Sequence, residues 1–141
     1  MRVYWDTSAL LNAVVSRTVK ERLKADSHCT RLHTFSEAFS TLTGRGITVR
    51  DAHGNPERLV MEPKQAAQWL RSISGHLDIV DLDADETLAG LDRAQTLGVQ
   101  GGQVYDYIHR LAADKAKADI LLTRNVQDFS VLSGTAKVQF P

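Results

Sequence analysis

Four acidic residues, Asp6, Glu37, Asp106 and Asp128, each stand where a strand or loop gives way to a helix. Asp6 follows the apolar run Arg2-Val-Tyr-Trp5 and precedes Thr-Ser-Ala-Leu-Leu11; Glu37 lies inside Phe35-Ser-Glu-Ala-Phe39, and Asp106 inside Val104-Tyr-Asp-Tyr-Ile108. A carboxylate on a half-buried stretch is costly unless it is paired or holds a cation. Several of them, gathered by folding, form the usual donor set for a hard divalent ion such as Mg²⁺. Each acid also has a plainer reading. Asp6 is a good N-cap for the helix after it. Glu37 and Asp106 fall near helix N-termini, where the macrodipole favours negative charge. Asp128 and Asn125 also read as capping or surface groups.

The elements that must position these residues follow from the hydrophobic pattern. Arg2–Trp5 reads as a strand and Thr7–Ser16 as a helix with Leu10, Leu11, Val14 and Val15 on its inner face. Val19–Ala25 reads as a short helix, Cys29–Thr34 as a second strand, and Ser36–Thr43 as a helix stopped by Gly44 and Gly46. Turn chemistry at Asp51-Ala-His-Gly-Asn-Pro56 makes Ile47–Met61 a hairpin or ordered loop. A helix from Pro63 to Ser74, a strand at Leu77–Leu82, and a helix at Ala84–Leu97 with Leu88, Leu91 and Ala94 inward come next. The pattern closes with a helix at Val104–Ala116, a buried strand at Asp119–Thr123 and a last strand at Lys137–Phe140. Strands alternating with helices imply a mainly parallel sheet of about four or five strands, covered on both faces. Ligands of such sheets bind beyond the carboxyl ends of the strands. Asp6, Glu37 and the Thr123, Asn125, Asp128 group all fall on that edge.

The 141 residues suit one domain, 1–141, with a hairpin insertion at about 47–61. Lys plus Arg and Asp plus Glu number 17 each, so the formal net charge is zero and no whole-chain basic footprint marks a nucleic-acid binder. A local patch stays open: Arg45, Arg50, Arg58, Lys64 and Arg71 make the middle of the chain basic enough to guide an RNA backbone. The single cysteine, Cys29, permits no internal disulfide and suits a reducing cytoplasm. No secretory apolar segment precedes Asp6, and no run approaches the roughly 20 apolar residues of a membrane span, so a cytoplasmic location is expected.

Four segments in order resemble the PIN-domain ribonucleases, and among them the VapC-type toxins of toxin–antitoxin systems. They are Val3-Tyr-Trp-Asp-Thr-Ser-Ala-Leu-Leu11, Thr34-Phe-Ser-Glu-Ala-Phe39, Val104-Tyr-Asp-Tyr-Ile-His-Arg-Leu-Ala-Ala113 and Leu121-Leu-Thr-Arg-Asn-Val-Gln-Asp-Phe129. The resemblance spans essentially the whole chain. It implies a PIN-like α/β/α sandwich and Mg²⁺- or Mn²⁺-dependent endoribonuclease activity, with Asp6, Glu37 and Asp106 as metal-binding and catalytic acids. The fourth position is less clean: the family often places Asp or Asn two residues after the Thr of the last motif, and here that residue is Asn125, with Asp128 three residues further on. Asn supplies a neutral oxygen, weaker toward Mg²⁺ than a carboxylate. Ser8, Thr123 and Asn125 would orient ligands or water around the metal. The same resemblance implies a homodimer, neutralised by a cognate antitoxin, acting on an RNA substrate.

A PIN-like RNA- or protein-binding module with an incomplete metal site is the competing reading. A phosphatase or receiver-like domain also places an Asp after the first strand, but Ser8 stands where the dehalogenase-like phosphatases need a second Asp. His28, Cys29 and His33 lack a fourth ligand and lie along an expected strand whose faces alternate, which argues against zinc. His109 and Arg110 either reach a phosphate or lie on the surface. Trp5, Tyr105 and Tyr107 are candidates to stack on bases, with Trp5 better placed in the core.

Overall fold

The computed structural model of the protein describes residues 1–141. Its elements run β1 (Arg2–Trp5), α1 (Thr7–Val15), α2 (Arg17–Arg22), β2 (Ser27–Thr30), α3 (His33–Thr43), β3 (Ile47–Arg50), β4 (Pro56–Leu59) and α4 (Pro63–Ser74). They continue with β5 (Asp78–Ile79), α5 (Ala84–Asp92), α6 (Gln103–Lys115), β6 (Ile120–Leu122), α7 (Val126–Ser130) and β7 (Lys137–Gln139). Five strands form one sheet in the order β5-β2-β1-β6-β7, and every pairing is parallel. The hairpin β3–β4 is a separate antiparallel pair, with Ile47 opposite Leu59.

Strand alternation divides the core between the two faces of the sheet. Val3 and Trp5 pack on one face with Leu10, Ala38, Leu70 and Ile73 from α1, α3 and α4. Tyr4, Cys29 and Leu121 pack on the other with Ala112, Ala113 and Phe129 from α6 and α7. Starting from β1, the chain builds outward through β2 and β5, then crosses back to lay β6 on the opposite side of β1. Strand order thus reverses between β1 and β6, and the crevice beyond their carboxyl ends is where a doubly wound sheet takes its ligand. Asp6 and Thr123 are the first residues past those two ends.

Several details depart from the pattern expected from sequence. β2 ends at Thr30, not Thr34, because the chain turns at once: Thr34 N–H donates to Arg31 O and Phe35 N–H to Leu32 O. Glu37 therefore lies in the second turn of α3, which has no acid in its first turn, so the macrodipole does not account for it. Leu88 and Leu91 are exposed (60% and 41%) instead of inward. α5 turns Gly90 toward α6, where a Cβ would sit 2.5 Å from Leu111 Cδ1 and Tyr107 Oη donates to Gly90 O. On α1 the small residues Ala9 and Ala13 share the inner face with Leu10, and Val15 is 43% exposed. The fifth strand is also shorter than expected, Asp78–Ile79 in place of Leu77–Leu82.

No helix is long and apolar enough to cross a membrane. Cys29 is fully buried in the β1–β2 ladder, and burial pushes its thiol up to about 11. The native protein should therefore leave a thiol reagent such as dithionitrobenzoate unconsumed at pH 8, with one equivalent released in guanidinium. Rapid reaction of the native protein would mean that the sheet opens at this point.

Candidate active site

Asp6 is held on all sides. Its Oδ1 accepts from Ala9 N–H (2.8 Å), which caps α1, and from Ser8 Oγ (2.8 Å). Its Oδ2 accepts from Thr123 Oγ1 (2.6 Å) and is also within 3.0 Å of Ser8 Oγ. The backbone continues the lattice: Asp6 N–H donates to Leu122 O, Arg124 N–H to Ser8 Oγ, and Asn125 N–H to Thr123 Oγ1. The plain capping role and the site role therefore fall on one carboxylate. At 3% exposure, burial pushes its pKa above the ordinary value, although Thr123, the Ala9 amide, His109 and Ser8 all pull it down.

Asp6, Glu37, Asp106, Ser8 and Asn125 line one pocket of about 190 Å³, together with Thr7, Thr41, Arg45 and His109. Thr123 joins through its bond to Asp6. Asp106 projects from the first turn of α6, and burial raises its pKa, helped by the charges of Asp6, Asp128 and Glu37 and opposed by His109. Asp128 stands apart: it is exposed in the first turn of α7 and outside the pocket wall, though near enough for its charge to reach Asp106. Burial also works to raise Glu37, but the imidazoles of His109 and His33 outweigh it and hold this carboxyl below its ordinary value.

His109 is neither a surface group nor free. It is 3% exposed, its Nδ1 meets Tyr4 Oη at 2.8 Å, and its Nε2 faces Glu37 Oε1 at 3.7 Å. The Glu37 carboxylate can only accept, which favours the N–H on Nε2, and Nδ1 then accepts from the Tyr4 hydroxyl. Sequence reading passed over Tyr4, yet strand alternation contained the signal, since residues 4 and 6 leave β1 on the same side. Arg110, the next residue after His109, points away from the site; it is buried against the loop before β7. Trp5 and Tyr107 are buried and cannot stack on bases, whereas Tyr105 is 60% exposed. His28 has both ring nitrogens engaged, by Trp5 Nε1 and Arg22 O.

The donor set suits a hard cation. It consists of oxygens from three carboxylates and one amide. Two buried polar atoms on its wall, Glu37 Oε1 and Thr7 Oγ1, have no hydrogen-bond partner. No three His, Cys, Asp or Glu side chains close around a single point. The fit to a hard cation therefore rests on the oxygen donors lining the pocket and not on a preformed cage.

No protein-family model and no curated protein matches the chain. Solved structures do. A chain of VapBC2 from Rickettsia felis, crystallised bound to a DNA fragment from its promoter, superposes with a TM-score of 0.70 at 14% identity, over 100% of this chain and 99% of that one. A chain of VapBC-1 from nontypeable Haemophilus influenzae gives a TM-score of 0.68 at 17% identity, over 99% and 98%. The fold is PIN-like. At these identities the likeness fixes the path of the chain and leaves the chemistry to its own residues. In this PIN-like frame the acid pocket lies at the β1/β6 reversal, in the crevice the topology reserves for a ligand.

Proposed function

We propose that the chain is a metal-dependent endoribonuclease, the VapC-type toxin of a type II toxin–antitoxin pair. The observation that carries this reading is the gathering of Asp6, Glu37 and Asp106 with Asn125 in one pocket at the strand-order reversal, where buried Glu37 Oε1 faces His33 and His109 Nε2 at 3.6 and 3.7 Å without a hydrogen bond. The whole-chain likeness to VapBC structures supports it.

Asp6, Glu37 and Asp106 hold Mg²⁺ or Mn²⁺, directly or through water, with Asn125 contributing a neutral oxygen and Asp128 adding charge from outside. The ion supplies charge stabilisation at the scissile phosphate and a nucleophilic water. Ser8 and Thr123 fix the rotamer of Asp6, and the Nε2–H of His109, oriented by Tyr4, faces Glu37. Burial of Asp6 and Asp106 sharpens the pocket's negative potential and with it the preference for a cation. The partners of this reading are an RNA substrate, a cognate antitoxin and a second copy of the chain in a homodimer.

Pooled RNA incubated with Mn²⁺ should yield discrete fragments. These should disappear in EDTA and fall about a hundredfold or more in Asp106→Asn, with weakened Mn²⁺ uptake in calorimetry. Cleavage that survives EDTA sinks the reading. The spacing of the acids and the amide at position 125 favour one alternative, an RNA- or protein-binding module with an incomplete metal site. Intact RNA binding without any Mn²⁺ uptake selects it.

A further inference from the structure

A second cavity, of about 340 Å³, adjoins the acid pocket and shares Ser8, Leu11, Thr41 and Arg45 with it. Its lining contains no carboxylate and two arginines, Arg45 and Arg124. Neither guanidinium enters an ion pair, although the chain carries as many acids as bases.

Both arginines are presented on fixed backbone. Arg45 lies between Gly44, which caps α3, and Gly46, whose φ of +75° and whose packing against Leu59 O exclude a side chain: a Cβ would meet that oxygen at 2.4 Å. Gly46 N–H also donates to Thr41 O at 2.7 Å. Arg124 is tied through its backbone N–H to Ser8 Oγ, and its guanidinium lies 6.0 Å from the ring centroid of Phe140. Between the two run the apolar side chains Leu11, Val15 and Ile47, and the exposure of Val15 falls on this groove.

We propose that this groove is the track for the phosphate backbone of single-stranded RNA on its way into the acid pocket, with Arg45 and Arg124 as its phosphate contacts. The inference rests on the ribonuclease reading for its substrate class. Its physical basis is the pairing of opposite potentials. A polyanion is repelled by three carboxylates, and two unpaired arginines, Arg45 on the shared wall and Arg124 in the adjoining groove, hold it at the rim. Leu11, Val15 and Ile47 give the sugar and base faces an apolar surface, which stays sequence-tolerant. The basic residues of the middle segment therefore divide: Lys64 and Arg71 line a different groove, beside Leu32 and Phe35.

Fluorescence anisotropy tests this with the full chain and a fluorescein-labelled 12-nucleotide oligouridylate, in EDTA so that no cleavage occurs. The double variant Arg45→Ala/Arg124→Ala should bind about tenfold more weakly at 50 mM salt. Its log–log salt slope should shrink by about 1.4, at roughly 0.7 per phosphate contact on a single strand. Arg45→Lys/Arg124→Lys should recover most of the slope, and Lys64→Ala/Arg71→Ala should match the wild type. A double alanine variant with unchanged affinity and slope overturns the groove while leaving Mn²⁺-dependent cleavage, and hence the nuclease reading, untouched. A wild type that does not bind the oligomer also overturns the groove; the nuclease reading falls only if the cleavage assay fails too.

Discussion

Asp6→Asn should melt higher than the wild type and cleave no RNA. Asn retains the α1 cap, because its carbonyl accepts from Ala9 N–H as Asp6 Oδ1 does. The amide nitrogen then donates to Thr123 Oγ1, a hydroxyl that accepts as readily as it donates, and Thr123 turns its proton to Ser8 Oγ, 3.3 Å away, while Ser8 donates to the Asn carbonyl. What disappears is a desolvated negative charge, and removing such a functional charge stabilises by on the order of 1 kcal/mol, or about 3 °C in a chain of this size. Under the proposed function, the central anionic ligand goes as well. Several kcal/mol of charge stabilisation at the phosphate corresponds to about a thousandfold in rate.

The pH dependence has a definite sign. Burial raises the folded-state pKa of Asp6 above the ordinary 3.8, so between the two values the folded chain binds more protons than the unfolded one. Stability of the metal-free wild type then falls as pH rises through that window, and the loss is complete above the folded pKa. In EDTA, the melting-temperature gap between Asp6→Asn and the wild type should be small below the ordinary value of 3.8, open as pH rises above it, and level off once the raised folded-state pKa is passed. A variant less stable than the wild type at pH 7 would show that the hydrogen bonds outweigh the desolvation.

The largest expected loss of stability belongs to Arg110→Met. The Arg110 side chain is buried without a carboxylate in contact, and burial draws its pKa down. It donates instead to three backbone carbonyls: Ala136 O at 2.6 Å, Leu132 O at 3.2 Å and Gly134 O at 3.4 Å. One guanidinium thus takes the place of regular structure in the segment between α7 and β7. Met fills the volume but leaves those carbonyls without donors, at about 1–3 kcal/mol for each that stays buried. A loss of about 3 kcal/mol is expected in urea denaturation, against a typical total of 5–15 kcal/mol. Gly134→Ala should cost about 1–3 kcal/mol by a separate route, since its Cβ would meet the Arg110 guanidinium carbon and Nε at 2.8 Å. The two changes touch the same atoms, so the double variant should lose less than their sum. Full additivity would mean that the loop does not rest on Arg110.

The acid pocket was legible in the sequence because its parts follow strands. An apolar strand that stops at Asp6 and another that stops at Thr123 predict neighbours at one sheet edge, and β1 pairs β6 in that register, Trp5 beside Leu122. Glu37 was harder to place. Cys, Thr and Leu alternate up to Thr34 as a strand would, but Thr30 Oγ1 bonds both Trp5 O and Thr34 Oγ1, and that contact belongs to a chain already turning into α3. The surface alternative for His109 and Arg110 fails for a different reason. A helix covered on one side shows a polar face, whereas α6 is buried through Tyr107, Ile108, His109 and Arg110 in succession. The partners that make those polar groups tolerable, Tyr4 and the carbonyls near Ala136, are remote in sequence. Leu88 and Leu91 mislead in the opposite direction, because α5 makes its close approach through Gly90, a residue that hydrophobicity does not mark.

The bond between Asp6 and Thr123 joins positions 117 apart. On a nascent chain, β1 meets β2 early, but its other edge has no strand until β6 emerges from the ribosome and slots in beside it. Until then Asp6 lacks its Thr123 partner and the wall carrying Asn125, so the pocket stays incomplete although its three carboxylates are already made. Under the proposed nuclease function, the site is therefore completed in one late step of translation. The interval before it, set by elongation rate, is one in which a partner could meet the chain before it could cut.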